Sequence, residues 1–392
     1  MGNPLIRTHN TRVWGLDLLR AFAILFVVYG HGITYIDPAI SKRIYVLPLF
    51  DGVSMFFVLS GFLIGRILLK TFEKKNFHFR DLTQFWIRRW FRTIPNYILV
   101  LTFLAIVSPY FNLPQPDALF QYYFFSQNFA SPQPQFFQES WSLTIEEWFY
   151  LIVPLLFFIS AKFCQFNRQK LTLFWIAFII ISVTTFRFYR VYSFNFPTFH
   201  DWDSSFPKQV VTRLDSIMFG VLGAYINIYF SGFWHKIANK SFIAGIILLL
   251  VDHYFFMILS RTYYLYFVLT LRPVGALLLL PKLSALTRGP SWIVRIITFI
   301  SVISYSMYLL NFSVIGGVIM PTVKRNILDL DSGIEQHIYL IQYVMYWFIS
   351  IALSFLLYQY FERPMTALRE RFHARGQGVV KAYTAYETSH GG

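Results

Sequence analysis

An arginine and a histidine stand eleven positions apart in an otherwise apolar stretch, "LDLLRAFAILFVVYGHG", residues 16 to 32. At about 100° and 1.5 Å per residue, a helix brings Arg20 and His31 onto nearly the same face, roughly 16 Å apart along its axis. A guanidinium is a fixed cation that grips phosphates and carboxylates in bidentate geometry. An imidazole takes and returns a proton near neutral pH. One helix face therefore offers an anion grip at one end and a general base at the other. Plainer roles compete: Asp17, three residues before Arg20, can pair with it and make it a membrane anchor, and His31 can sit at an interface. Ionised groups inside apolar helices are costly, which favours the functional reading.

A second stretch, "QESWSLTIEEWFYLIVPLLF" from residue 138, opens another apolar run with Trp141, Ser142, Glu146 and Tyr150 near its start. Thr144 and Glu147 have capping-box spacing, so their ordinary role is to start a helix. Glu146 lies on a different face, one turn from Ser142. A carboxylate that orients the second ring nitrogen of a histidine is the usual partner of a general base. Glu146 fills that role for His31 if the two share a depth.

The elements that must position these groups follow from composition. The chain has 392 residues, 56% hydrophobic, 20% aromatic and only 14% charged. Its apolar blocks are about 20 residues long, the length that crosses a bilayer core. The expectation is an all-α integral membrane protein of about ten transmembrane helices, over 13–35, 50–70, 93–110, 143–161, 171–187, 209–230, 241–260, 263–281, 293–316 and 338–361. Lys and Arg concentrate in alternate loops, and segment 111–142 has none. This asymmetry predicts both termini in the cytoplasm. It also places His31 and Glu146 together near the outer face. The organisation expected is a cytoplasmic N-terminus (1–12), one membrane domain (13–366) and a basic tail (367–392). Arg7 and Arg12 precede the first apolar run like a signal peptide, but Asp17 and Arg20 interrupt it and no small-residue cleavage site follows, so a retained helix is expected. Segment 71–92 mixes cations and aromatics in the manner of a surface-lying amphipathic helix.

The net charge of +15 is that of a membrane protein with basic inner loops, and no basic soluble domain exists to bind nucleic acid. The single cysteine, Cys164, excludes an internal disulfide framework and a Cys-based metal site, and no metal is expected. Arg66 falls near the inner end of the second span. With Arg20, Arg88, Arg89 and Arg92 it makes a positive approach suited to phosphates. Arg213 and Asp215 are expected to pair with each other. Asp252, His253, Arg272 and Asn311 are further polar residues within spans and, with Asp17, Trp141, Ser142, Tyr150, Arg213 and Asp215, are candidates for substrate contact.

The pieces "LDLLRAFAILFVVYGHG", "GVSMFFVLSGFLIGRILL", "RRWFRTIPNYILVL", "WSLTIEEWFYLIVPLL", "TRLDSIMFGVLGA", "ISYSMYLLNFSVI" and "YFERP", in this order, resemble the membrane-bound acyltransferase family 3. This bacterial group includes O-antigen and Nod-factor O-acetyltransferases, and the resemblance covers residues 12 to 366. It implies essential roles for Arg20 and His31, a motif at Trp141, Ser142, Leu143 and Glu146, and an arginine group at Arg88, Arg89 and Arg92. It also implies acyl transfer in the cytoplasmic membrane from an acyl-CoA, usually acetyl-CoA, to a hydroxyl of a glycan or lipid-linked sugar. Many relatives carry a histidine where this chain has Asn311, which weakens any mechanism needing a second histidine. In the expected mechanism His31, oriented by Glu146, deprotonates the acceptor, and Trp141 and Tyr150 stack on its sugar ring. The rival is a transporter or flippase for a lipid-linked glycan, although no inverted repeat is evident. Oligomeric state is not legible.

Overall fold

The computed structural model describes residues 12–38, 40, 50–74, 77–163, 166–194, 196, 198–258, 261–328 and 338–368. Arg7, Cys164 and the tail beyond Leu368 lie outside them. Among the described residues there is no strand. The long helices are α1 (Trp14–Gly32), α2 (Gly52–Phe72), α3 (Phe79–Val107), α4 (Ser140–Phe163), α5 (Arg168–Ser193), α6 (Val210–Tyr229), α7 (Ser231–Ile258), α8 (Val268–Ala285), α9 (Ser291–Leu310) and α10 (Ile338–Leu357). α9 continues into a π-helical segment, Asn311–Ile319. Nine described helices are long and apolar enough to cross a membrane, and the chain is a multi-pass membrane protein. The one expected span not among these nine, 209–230, is α6. It has the length but carries Arg213 and Asp215, and thirteen of its twenty residues are buried among the others.

Local chemistry sets the helix starts. Asp51 caps α2, its carboxylate accepting from the backbone N–H of Val53 at 3.0 Å and of Ser54 at 3.2 Å. Asn167 does the same for α5. Two apolar clusters hold the bundle. One joins Leu16, Leu19 and Ala23 of α1 to Phe85 of α3 and to α2, α4, α5, α6, α7 and α8. The other joins Ile24, Val27 and Val28 of α1 to α3, Leu143 of α4, α9 and Tyr346 of α10. α1, α3 and α4 thus contribute to both.

Helices in lipid gain little from the hydrophobic effect and rely on close packing, which small residues permit. α2 and α6 meet in this way. A Cβ on Gly61 would lie 2.0 Å from the Ile217 carbonyl oxygen, and one on Gly220 would lie 2.1 Å from that of Val58. Backbone cannot yield as a side-chain tip can. Gly61→Ala is therefore expected to destabilise the bundle by about 1–3 kcal/mol, read as a lower midpoint of thermal unfolding in detergent. An unchanged midpoint would show that the two helices are not in such close contact.

Two expectations are corrected. Segment 71–92 is not a separate surface helix, because from Phe79 onward it is the first part of α3, continuous through Pro95. Its aromatic face packs inward, with Phe85 in the first cluster and the Trp86 indole donating to the Tyr150 carbonyl at 2.8 Å. Nor do Thr144 and Glu147 cap α4, which begins earlier, at Ser140. The preceding segment folds back into the bundle with Gln127, Asn128 and Gln133 buried. Thr144 accepts from Gln127 at 2.7 Å, and Glu147 accepts from the Thr93 hydroxyl at 2.7 Å.

Candidate active site

At the N-terminal end of α1, Asp17 accepts from Nε and Nη2 of Arg12, at 2.9 and 2.8 Å, and from Arg20 at 3.3 Å. Ser301 of α9 donates to the same carboxylate at 2.9 Å and accepts from Arg20 at 3.3 Å. Asp17 thereby aims Arg20 while sharing its one negative charge between two cations. Arg20 lines a cavity with Arg89 and Arg92 of α3, Ser60 and Phe57 of α2, Ser142, Glu146 and Tyr150 of α4, and Tyr308 of α9. Three guanidinium groups face this space against the single carboxylate of Glu146. Glu146 accepts from the Tyr150 hydroxyl at 2.8 Å, and Tyr150 bonds Ser60 at 2.9 Å. The surplus of positive charge suits a polyanion.

At the other end of α1, the Nδ1 atom of His31 lies 2.5 Å from the Oδ1 atom of Asn311. The Asn311 amide nitrogen donates to the carbonyls of Met307 at 2.8 Å and Tyr308 at 2.9 Å. These two bonds assign the amide orientation, so its oxygen faces the ring and Nδ1 must carry the proton. Nε2 then holds the lone pair, which is the tautomer a general base needs. The Phe312 ring backs the imidazole at 4.6 Å between centroids. His31 lines a second cavity with Asn311, Ser313, Thr34, Tyr35, Gln135 and Gln138, a set of uncharged hydrogen-bonding groups suited to hydroxyls.

The two cavities share no lining residue. On the wall of the arginine cavity, Tyr308 donates to the Glu139 carbonyl at 2.9 Å and accepts from Ser142 at 2.6 Å. Tyr308 stands one helical turn before Asn311, which lines the other cavity. Among the described residues no group of His, Cys, Asp or Glu is placed to hold a metal ion.

A family described as an acyltransferase domain matches residues 13–359. The chain belongs to this acyltransferase family. The acyltransferase domain is 33% identical over 168 residues to a peptidoglycan O-acetyltransferase of Listeria monocytogenes, covering 38% of this chain and 25% of that protein. It is 32% identical over 182 residues to a putative peptidoglycan O-acetyltransferase of Bacillus subtilis, covering 42% and 26%. It is 27% identical over 394 residues to a putative O-acetyltransferase of Staphylococcus aureus, covering 89% and 56%. The chain thus spans between a quarter and a little over half of these relatives' lengths. No solved structure matches it.

Within the acyltransferase domain several expected placements change. Glu146 does not orient His31. It lines the arginine cavity and accepts from Tyr150, because α4 starts with Ser140 buried inside the bundle. Asn311 takes its place at the histidine. Tyr150 belongs to the arginine cavity too, so it cannot stack on a ligand beside His31. Trp141 packs edge-on against Phe57, 5.9 Å between centroids, and lines neither cavity. Arg66 lies over the Phe62 ring at 5.7 Å and Arg88 is exposed, and neither lines the arginine cavity.

Arg213 and Asp215 do not pair with each other. Residues two apart on a helix face different ways. Asp215 pairs with Arg187 of α5 at 2.8 Å, and Arg213 with Asp51 at 3.1 Å. Arg272 donates to Asp252 at 2.9 Å, and Tyr263 donates to the same carboxylate at 2.7 Å. Arg272 also lies 3.8 Å from Asp51. These residues tie α2, α5, α6, α7 and α8 together and line neither cavity, and nor does His253, beside Asp252. Sequence reasoning missed Asp51, Arg187, Ser301, Glu139 and Tyr308. Only Tyr308 carried a signal, a single turn before Asn311 on the same predicted helix.

Proposed function

We propose that this acyltransferase domain moves an acyl group, acetyl by default, from an acyl-CoA to a hydroxyl of a cell-envelope glycan or lipid-linked sugar. The observation that carries the reading is a single helix, α1, with Arg20 in a guanidinium-rich cavity and His31 in a neutral polar one. Arg20, Arg89 and Arg92 hold the donor's phosphates, and the thin arm bearing the thioester extends past Ser142 and Tyr308. Its reach is comparable with the roughly 16 Å rise between the two residues. The acceptor occupies the His31 cavity. His31 Nε2 takes the hydroxyl proton as the oxygen attacks the thioester carbon. The carbon–sulfur bond breaks and the departing thiolate takes the proton back from the imidazolium. Asn311 holds Nδ1–H throughout.

Two relatives are named for peptidoglycan, which makes it the first acceptor to try. The bacterial relatives and the distribution of Lys and Arg support a cytoplasmic membrane location, with both termini and the arginine cavity on the cytoplasmic side. The test is release of free thiol from acetyl-CoA by the purified protein with and without soluble peptidoglycan fragments. Acceptor-dependent thiol together with ester-linked acetyl on the fragments is the expected outcome. Movement of a lipid-linked glycan across vesicles with no thiol released would replace this reading with transport.

A further inference from the structure

Asn311 can fix the histidine tautomer only if its own backbone is held, and it opens a π-helical segment, a geometry less regular than the α-helix before it. One residue grips this segment on both sides of Asn311. The backbone carbonyl of Glu139 accepts from the Tyr308 hydroxyl at 2.9 Å. Its carboxylate accepts from the backbone N–H of Ser313 at 3.0 Å through one oxygen and from the Ser313 hydroxyl through the other. Glu139 is 3% exposed and Asn311 fully buried. Ser313 and Asn311 line the histidine cavity, but Glu139 does not. A buried carboxylate that lines neither of the two cavities, yet satisfies both polar hydrogens of the residue two positions after Asn311, acts on the site through that residue.

We propose that Glu139 is a positioning residue for acyl transfer: by holding residues 308 and 313 it keeps Asn311 against His31 Nδ1, and so keeps Nε2 free as the base. The inference rests on the proposed role of His31. It needs two acceptor or polar positions at residue 139 but no charge. A glutamine can serve, its carbonyl accepting from the Ser313 N–H and its amide donating to the Ser313 hydroxyl oxygen.

The experiment compares full-length Glu139→Ala, Glu139→Gln and His31→Ala with the wild type, measuring kcat and the KM for acetyl-CoA with peptidoglycan fragments as acceptor. Glu139→Ala is expected to lower kcat by about 10²-fold, the order of loss for a displaced catalytic group, with KM for acetyl-CoA changed by less than about twofold. Glu139→Gln is expected to restore most of that loss. An unchanged kcat in Glu139→Ala overturns the proposal. So does a Glu139→Gln as inactive as the alanine variant, which would make the carboxylate itself a proton or charge carrier. A KM rising in step with the fall in kcat also overturns it, by showing general disruption of the bundle. If Glu139→Ala fails to accumulate in membranes, Ser313→Ala removes one of the carboxylate's bonds and must lower kcat in the same sense; wild-type kcat there rejects the proposal. Activity in His31→Ala would sink the general-base reading, whereas an inactive His31→Ala beside a fully active Glu139→Ala would sink only the role of Glu139.

Discussion

His31→Ala is expected to remove acyl transfer to the acceptor, with a loss of about 10²–10⁴-fold, the usual contribution of a positioned base. The protein should still reach the membrane and still bind acyl-CoA, because His31 lines a different cavity from Arg20, Arg89 and Arg92. The one hydrogen-bond partner of its ring among the described residues is Asn311, whose amide nitrogen keeps its two backbone carbonyls when the ring is gone. The truncation therefore leaves a single amide oxygen without its donor. The measurement is acceptor-dependent thiol release beside acyl-CoA binding by calorimetry in detergent. Transfer at the wild-type rate would show that the proton goes elsewhere. Loss of both transfer and donor binding would show that His31 supports the fold rather than the reaction.

Arg20→Ala is the complementary case. It should raise the KM for acetyl-CoA about 10- to 100-fold, the weight of one charged hydrogen-bonding group of about 1.5–3 kcal/mol, and leave acceptor affinity unchanged. The usual confound in removing half of a buried ion pair is the orphaned partner. Here Asp17 retains Arg12 and Ser301 as donors, so it is not abandoned. Arg20→Lys should recover part of the affinity, since an ammonium keeps the charge and loses the bidentate geometry. Equal losses of donor and acceptor affinity would assign Arg20 to holding α1 against α9.

What the sequence made legible was local. Arg20 and His31 were readable as a pair because helical periodicity within one uninterrupted apolar run places them without reference to anything else. The span count was readable because lipid imposes length and composition on each helix separately. Glu146 was misplaced because its depth was inferred from Lys and Arg in the loops, and the segment before it has neither and folds inward. Gln127, Asn128 and Gln133 are neutral polar residues, common in solvated loops and equally able to saturate one another in an interior, so nothing in their types distinguishes the two. The ion pairs were misassigned for a related reason. Asp215 and Arg213 are neighbours in sequence, but the helix turns them apart, and their partners come from α5 and from the cap of α2. Asn311 was visible as a polar residue in an apolar helix. Its link to a residue 280 positions away was not.

The hydroxyl pair of Ser142 and Tyr308 bears on how the donor would survive in a cell. A sugar arrives hydrated, and a thioester open to that water would be spent on hydrolysis. In the proposed reaction these two hydroxyls, bonded to each other on the wall of the arginine cavity, which shares no lining residue with the His31 cavity, would hold the thioester back from the acceptor's water until transfer. A thioester carbonyl can take over the bond that Ser142 gives to Tyr308, whereas a water molecule gains nothing by the same exchange that it lacks in bulk. Fidelity toward the glycan, measured as acyl groups delivered per acyl-CoA consumed, would then depend on two hydroxyls that carry no charge and take no proton in the reaction.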